Sequence, residues 1–238
     1  MKMITKKITS DYNPDFESGE VILIDKHLRA SSFSIVYKVR KAVNVKKVGH
    51  AGTLDPMATG LLIICTGKKT KEISELQNLD KTYTGIISIG KTTPSFDLET
   101  DFNTEENISN INEGIIFKVQ KNFIGNLLQT PPMYSALKKN GKALYCFARK
   151  GQVVERKARE INISSFEIYK IELPDIYFKI RCSSGTYIRV IADDFGSALG
   201  CGAYLKSLRR EMIGEFNVSD AMDVREFVEY ATEFSIAV

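Results

Sequence analysis

The chain has 238 residues, a formal charge of +4, four cysteines and two histidines. That length supplies one large core or two unequal subdomains without staples, and Cys65, Cys146, Cys182 and Cys201 lack C-x-x-C spacing, with only His27 and His50 to join them, which argues against a zinc site or disulfide framework. No apolar run approaches membrane-spanning length and no signal-like core follows the charged N-terminus, so a soluble, cytoplasmic protein is expected.

Residues 1–18 are polar, and Asn13, Pro14 and Asp15 interrupt any regular pattern, so a loosely anchored leader is expected. Val21-Ile22-Leu23-Ile24 predicts a strand over 19–25. Ser31 or Ser32 caps a predicted helix to about residue 42, with Phe33, Ile35, Val36 and Val39 as its apolar face and Lys38, Arg40 and Lys41 left to water. Residues 61–66 read as a buried strand broken by Gly67, and a short helix from Thr70 turns Ile73, Leu76 and Leu79 inward before strand spacing resumes over 81–89. A second helix is predicted over about 110–121, weakened by Gly114.

Pro131-Pro132 leads into an ordered turn or short extended stretch over 133–138, followed by a helix over 142–149 that Gly151 stops. Strands over 160–169 and 175–182 are expected to pair antiparallel, 187–199 is helical up to Gly200, 203–208 returns to strand, and a short helix spans 224–232. Helices interleaved irregularly with hairpin-like strands predict an α+β fold rather than regular βαβ winding.

One loop stands apart: Gly49-His50-Ala51-Gly52-Thr53-Leu54-Asp55-Pro56-Met57-Ala58-Thr59-Gly60 sets a single acid among glycines, threonines and apolar residues. Pro56 biases Asp55 away from the α region and so fixes the direction of its carboxylate, while Leu54 and Met57 are placed to shield it. Spacing alone leaves two readings open, an Asx-turn beside a strand and a catalytic acid. No Gly-x-x-x-x-Gly-Lys-[Ser/Thr] motif is present, because Lys69 follows Gly67-Lys68, and this disfavours a nucleoside-triphosphate enzyme.

Arg189, in Gly185-Thr186-Tyr187-Ile188-Arg189, has the fork geometry to hold a buried carboxylate in its charged state, or else forms a surface ion pair with Asp193. Tyr83, Tyr134, Tyr145 and Tyr187 suit stacking on a nucleobase or ordinary half-buried packing. His50 has the intrinsic range for proton transfer or a hydrogen bond to phosphate or base. Basic clusters at Lys68-Lys69, Lys138-Lys139, Lys142 and Arg209-Arg210 fit a polyanionic partner without establishing one.

Taken in order, the Asp55 loop, Lys81-Thr82-Tyr83, Pro132-Met133-Tyr134-Ser135-Ala136-Leu137-Lys138 and Gly185-Thr186-Tyr187-Ile188-Arg189 closely resemble the TruB family of tRNA pseudouridine synthases, over about residues 19–220. The resemblance implies the pseudouridine synthase fold, with a mixed, mainly antiparallel central sheet flanked by helices and loops. It also implies isomerisation of the uridine at position 55 in the T arm of tRNA, without cofactor or metal. Asp55 matches the catalytic aspartate, Tyr83 the active-site tyrosine, Arg189 the arginine paired with that aspartate, His50 the histidine of the substrate loop and Lys71 a lysine near the cleft. Tyr134, Lys138, Lys142, Tyr187, Arg209 and Arg210 complete the expected substrate-binding set. The family reaction flips the uridine out, cleaves its N-glycosidic bond, rotates the uracil and joins C5 to C1′; Asp55 acts on C1′ as nucleophile or on the 2′ hydrogen as base.

The expected organisation is a leader over 1–18, a catalytic domain over 19–220 with an RNA-binding insertion near 124–152, and a helical stub over 221–238 in place of the C-terminal RNA-binding domain of many relatives. A monomer with tRNA as its partner, through the T stem-loop, and with no membrane or obligate protein partner, is expected. Two departures bear on RNA grip: Arg29 replaces a glycine of the family's Lys-Pro-x-Gly segment, so that turn must differ or bear strain, and Pro94 stands where an acid is common while Asp97 is kept. A non-catalytic RNA-folding module and a synthase for another structured RNA are the competing readings.

Overall fold

The run Val21-Ile22-Leu23-Ile24 is apolar on both faces because both faces are covered, and the rest of its unit is arranged around it. The computed structural model describes residues 3–9 and 12–235; residues 1–2 and 10–11 of the expected leader and 236–238 of the expected stub lie outside them. In chain order the described residues form β1 (Val21–Lys26), α1 (Ser32–Val43), β2 (Val48–His50), β3 (Ala58–Thr66), a 3-10 turn (Gly67–Glu72), α2 (Ile73–Asn78) and β4 (Lys81–Ile89). Next come β5 (Lys91–Thr92), β6 (Thr104–Glu105), α3 (Glu113–Gln120), β7 (Gly125–Gln129), β8 (Lys138–Lys139), β9 (Lys142–Ala143) and α4 (Leu144–Ala148). The chain continues through β10 (Arg159–Glu172), β11 (Asp175–Cys182), α5 (Ile188–Leu199), β12 (Ala203–Ile213), β13 (Phe216–Asn217), β14 (Met222–Asp223) and α6 (Val224–Ser235). It divides into two compact units, Met1–Tyr83 with Leu208–Val238, and Thr84–Ser207, passing between them inside β4 and β12.

In the first unit the strands run in the order β14-β1-β3-β12. β1 and β3 are antiparallel, from Val21 opposite Cys65 to Lys26 opposite Gly60, whereas β3 and β12 are parallel, with Arg210 beside Gly60. Ile22, Ile24, Leu62 and Ile64 face α1 and α6, while Val21, Leu23, Leu61 and Ile63 face a second cluster with Leu76 and Phe216. Ser31 caps α1, its hydroxyl accepting from the Ser34 N–H at 3.0 Å, and Ile35, Val36, Val39 and Val43 are buried. Phe33, expected on that apolar face, is instead 67% exposed.

The expected loose anchoring of the leader gives way to a firm one. Ile4 is fully buried, its N–H donates to Val21 O and its carbonyl accepts from the Leu23 N–H, and the Tyr12 hydroxyl donates to Glu20 at 2.8 Å. At the other end of the unit, Phe227 and Ala231 of α6 are fully buried in the same core, Phe227 edge-on to Phe16.

In the second unit the order is β12-β4-β11-β10-β7, with β10 antiparallel to both β11 and β7. Phe123, Phe166, Phe178 and Phe195 pack edge-to-face or tilted behind it. Lys138–Lys139 and Lys142–Ala143 pair as a hairpin, which is why the helix expected from residue 142 begins at Leu144. α3 is shorter than its spacing predicts, because Asn112 caps it and starts it at Glu113. The mixed, mainly antiparallel sheet flanked by helices is the α+β architecture expected. Among the described residues no helix is long and apolar enough to cross a membrane.

Candidate active site

Residues 51–57 connect two paired strands: His50 of β2 lies opposite Ile64 of β3, and the Ala51 N–H donates to Ile63 O at 2.9 Å. Asp55 turns the chain, its carbonyl accepting from the Ala58 N–H at 3.0 Å. Three outside residues hold the loop. The Ser32 hydroxyl accepts from the Leu54 N–H at 2.8 Å and donates to the Leu54 carbonyl at 3.0 Å. Arg29 donates its backbone N–H to Pro56 O at 2.8 Å. Arg210 spreads its guanidinium over Leu61 O at 2.7 Å, Gly52 O at 3.1 Å and Thr53 O at 3.4 Å.

Gly60 makes that last contact possible. Its φ is +104°, and a Cβ there would stand 2.4 Å from Arg210 O, so any other residue would push β12 and its arginine away. Arg29 has a φ of +65°, so this chain keeps the left-handed turn without a glycine and carries the strain.

The electrostatics centre on Lys26, which the sequence reading did not single out. It is fully buried, with Nζ donating to Ala30 O at 2.8 Å and His27 O at 3.2 Å. Burial pushes its pKa down to about 8; Asp55 pulls it up and Arg210 pushes it further down. Asp55 is half-buried and shares the field of this lysine. Burial, and then the Arg210 charge, lowers the pKa of His50, so the imidazole is neutral at pH 7.

Arg209 and Arg210 were expected to meet phosphate together, and the structure places them otherwise. Arg209 is bidentate to Asp25, at 3.0 and 2.6 Å, and Arg210 is 1% exposed with its donors on loop carbonyls. Neighbours on a strand point to opposite faces, so adjacency in sequence does not make a shared surface. Tyr83 lies on β4 and is 8% exposed; Lys71 is exposed in the 3-10 turn.

The second unit carries the other expected residues. Arg189 is 3% exposed, which does not fit a surface ion pair with Asp193, and its Nη1 donates to the carbonyl of buried Ser95 at 3.3 Å. Ser95 belongs to the Pro94–Asp97 departure, so this segment helps to fix Arg189. The ring of Tyr187 lies 4.9 Å from the Arg159 guanidinium and 5.6 Å from that of Arg189. Buried Gln129 accepts from the Tyr187 N–H at 2.8 Å and donates to its carbonyl at 3.1 Å, a clamp with no local sequence signal. Tyr134 is half-buried, while Lys138 and Lys142 are exposed on the β8–β9 hairpin, Lys142 over the Phe147 ring. Among the described residues no cluster of three or more His, Cys, Asp or Glu is placed to hold a metal.

Residues 40–188 match the TruB family pseudouridylate synthase N-terminal domain. The tRNA pseudouridine synthase B of Flavobacterium johnsoniae is 49% identical over 222 residues, covering 90% of this chain and 97% of that protein. The tRNA pseudouridine synthase B of Chlorobium chlorochromatii is 51% identical over 216 residues, covering 89% and 85%. The crystal structure of a Cbf5-Nop10-Gar1 complex contains a chain similar in fold, with a TM-score of 0.70 and 26% identity over 98% of this chain; the match spans 64% of that solved chain.

Proposed function

The chain belongs to the TruB family of pseudouridylate synthases, and from that premise we propose that it isomerises uridine 55 of tRNA to pseudouridine, engaging the T stem-loop as a cytoplasmic monomer. The observation that carries this reading is the Asp55 loop: one carboxylate on a loop whose backbone is held by Ser32, Arg29 and Arg210, within the electrostatic reach of a buried lysine. A loop fixed from outside by so many partners spends little free energy on ordering when substrate arrives.

In the proposed chemistry the flipped uridine presents its sugar to Asp55, which acts as nucleophile at C1′ or as base at the 2′ position while the N-glycosidic bond opens. Lys26, a buried cation, lies within the electrostatic reach of Asp55. Tyr83 is assigned to stack on the uracil, and neutral His50 to contact the RNA as a hydrogen-bonding or packing group. Arg189, immobilised at Ser95, is the third catalytic residue. Tyr134, Lys138, Lys142, Tyr187 and Lys71 are assigned to RNA contact. No cofactor or metal enters this chemistry.

Chemical mapping of pseudouridine in an unmodified tRNA transcript incubated with the purified protein tests the reading. Product at position 55 alone supports it. Product elsewhere assigns a different RNA, and tight binding with no product assigns a folding module.

A further inference from the structure

Phe33 and Tyr37 are one helical turn apart on α1, and both project into water, 67% and 57% exposed. Isolated surface aromatics are ordinary, but a pair at i and i+4 sets two separate rings in a strip along one face of the helix. Arg40, a further turn along the same face, identifies the direction of that strip, because its Nη2 donates to Val48 O of β2 at 2.9 Å. β2 ends at His50, and the residue before Phe33 is the Ser32 that clasps Leu54. The strip therefore lies on the side of α1 that adjoins the Asp55 loop.

The segment that carries it is one-sided in charge, although Glu229 of α6 lines one concavity with Lys38 and Lys41. Residues 26–54 carry seven lysines and arginines and not one aspartate or glutamate, in a chain whose net charge is only +4. Lys38, Lys41, Lys46 and Lys47 are exposed, and among the described residues none of them forms an ion pair. The covered Nε of Arg40 has no hydrogen-bond partner there either. Flat aromatic faces set among cations outside any ion pair are the two components of a surface for unpaired nucleotides: phosphates meet the charges and bases meet the rings.

We propose that Phe33 and Tyr37 are a stacking platform for unpaired bases of the substrate RNA adjoining the reacting uridine. This rests on the RNA-modifying activity proposed above and adds to it a binding surface outside the Asp55 loop. Continuity with that loop and the absence of any acid in the segment favour RNA over a protein partner or a second copy of the chain.

The chain contains no tryptophan, so F33W places a single indole on the strip. Titration with unmodified tRNA transcript is expected to quench its emission, and an unchanged spectrum at saturating RNA overturns the proposal. In parallel, F33L/Y37L keeps apolar bulk while removing both π faces. It is expected to raise the Kd and KM about tenfold or more, with kcat at saturating RNA within about twofold and the salt slope unchanged. F33Y and Y37F are expected to bind like the wild type.

Wild-type affinity in F33L/Y37L overturns the platform, as does loss of self-association without loss of RNA affinity. The failure of the underlying activity reads differently: wild-type protein would then form no pseudouridine, whatever the F33W signal does.

Discussion

The Ser32 hydroxyl holds Leu54 by both of its backbone groups, accepting at 2.8 Å and donating at 3.0 Å, one residue before Asp55. Ser32 is 3% exposed, so no water stands ready to replace it. Ser32→Ala strands a buried N–H and a buried carbonyl, at a cost of about 1–3 kcal/mol. Urea denaturation should show that loss, and kcat should fall while the Kd for RNA stays near wild type, because the loop and not the RNA surface is loosened.

Lys26 makes stability depend on alkaline pH in a definite direction. Its pKa is depressed from the usual 10.5 to about 8. Between these values the unfolded chain holds more protons than the folded one, so the Lys26 contribution to stability rises with pH through that window and is lost as pH falls through about 8. The full rise is of order 3 kcal/mol. Comparing wild type with Lys26→Met by urea denaturation at pH 7.5 and 10 isolates it, and parallel curves would refute the assignment. Activity should carry the opposite slope, falling above about pH 8 as the cation beside Asp55 is lost.

Arg29 stores backbone strain at φ +65°. Arg29→Gly is expected to stabilise the fold by about 1 kcal/mol, the cost of a left-handed non-glycine residue less the added freedom of the unfolded chain. Thermal denaturation checks this, and the backbone bond to Pro56 is retained.

The two arginines of β12 should behave oppositely to a phosphate-binding pair. Arg210→Ala removes three charge-assisted contacts, one of them buried and two part-buried, and is expected to destabilise by several kcal/mol. Arg209→Ala breaks a pair that is about a third exposed and should cost about 1 kcal/mol or less. Neutralising Arg209 by Arg209→Gln should leave the salt slope of RNA binding unchanged, whereas neutralising Lys138 or Lys142 should lower it by about one each.

Much of this was legible in the sequence, for reasons that mark where legibility ends. Val21–Ile24 and Leu61–Ile64 are apolar enough to read as strands, and the composition of the Asp55 loop sets it apart. Lys26 carries no local signal, since nothing in the spacing shows that Ala30 and His27 turn their carbonyls back toward it. Arg210 looked like surface because it follows Arg209. Strand period already put the two on opposite faces, and that signal could have separated them. Ser32 and Gln129 act on backbone groups 22 and 58 residues away, a distance at which spacing carries no information. The polarity of the leader hides the apolar residues that anchor it, Ile4 and Phe16 in the core with Ile8 and Tyr12 packed against it.

Single-turnover reaction of Asp55→Asn with unmodified tRNA transcript is the most direct test of the central claim. The exchange keeps the shape and the backbone contacts of the loop while removing its one carboxylate. The expected result is RNA binding within a few-fold of wild type and no detectable pseudouridine at position 55; near-normal product formation by the purified variant would contradict the account.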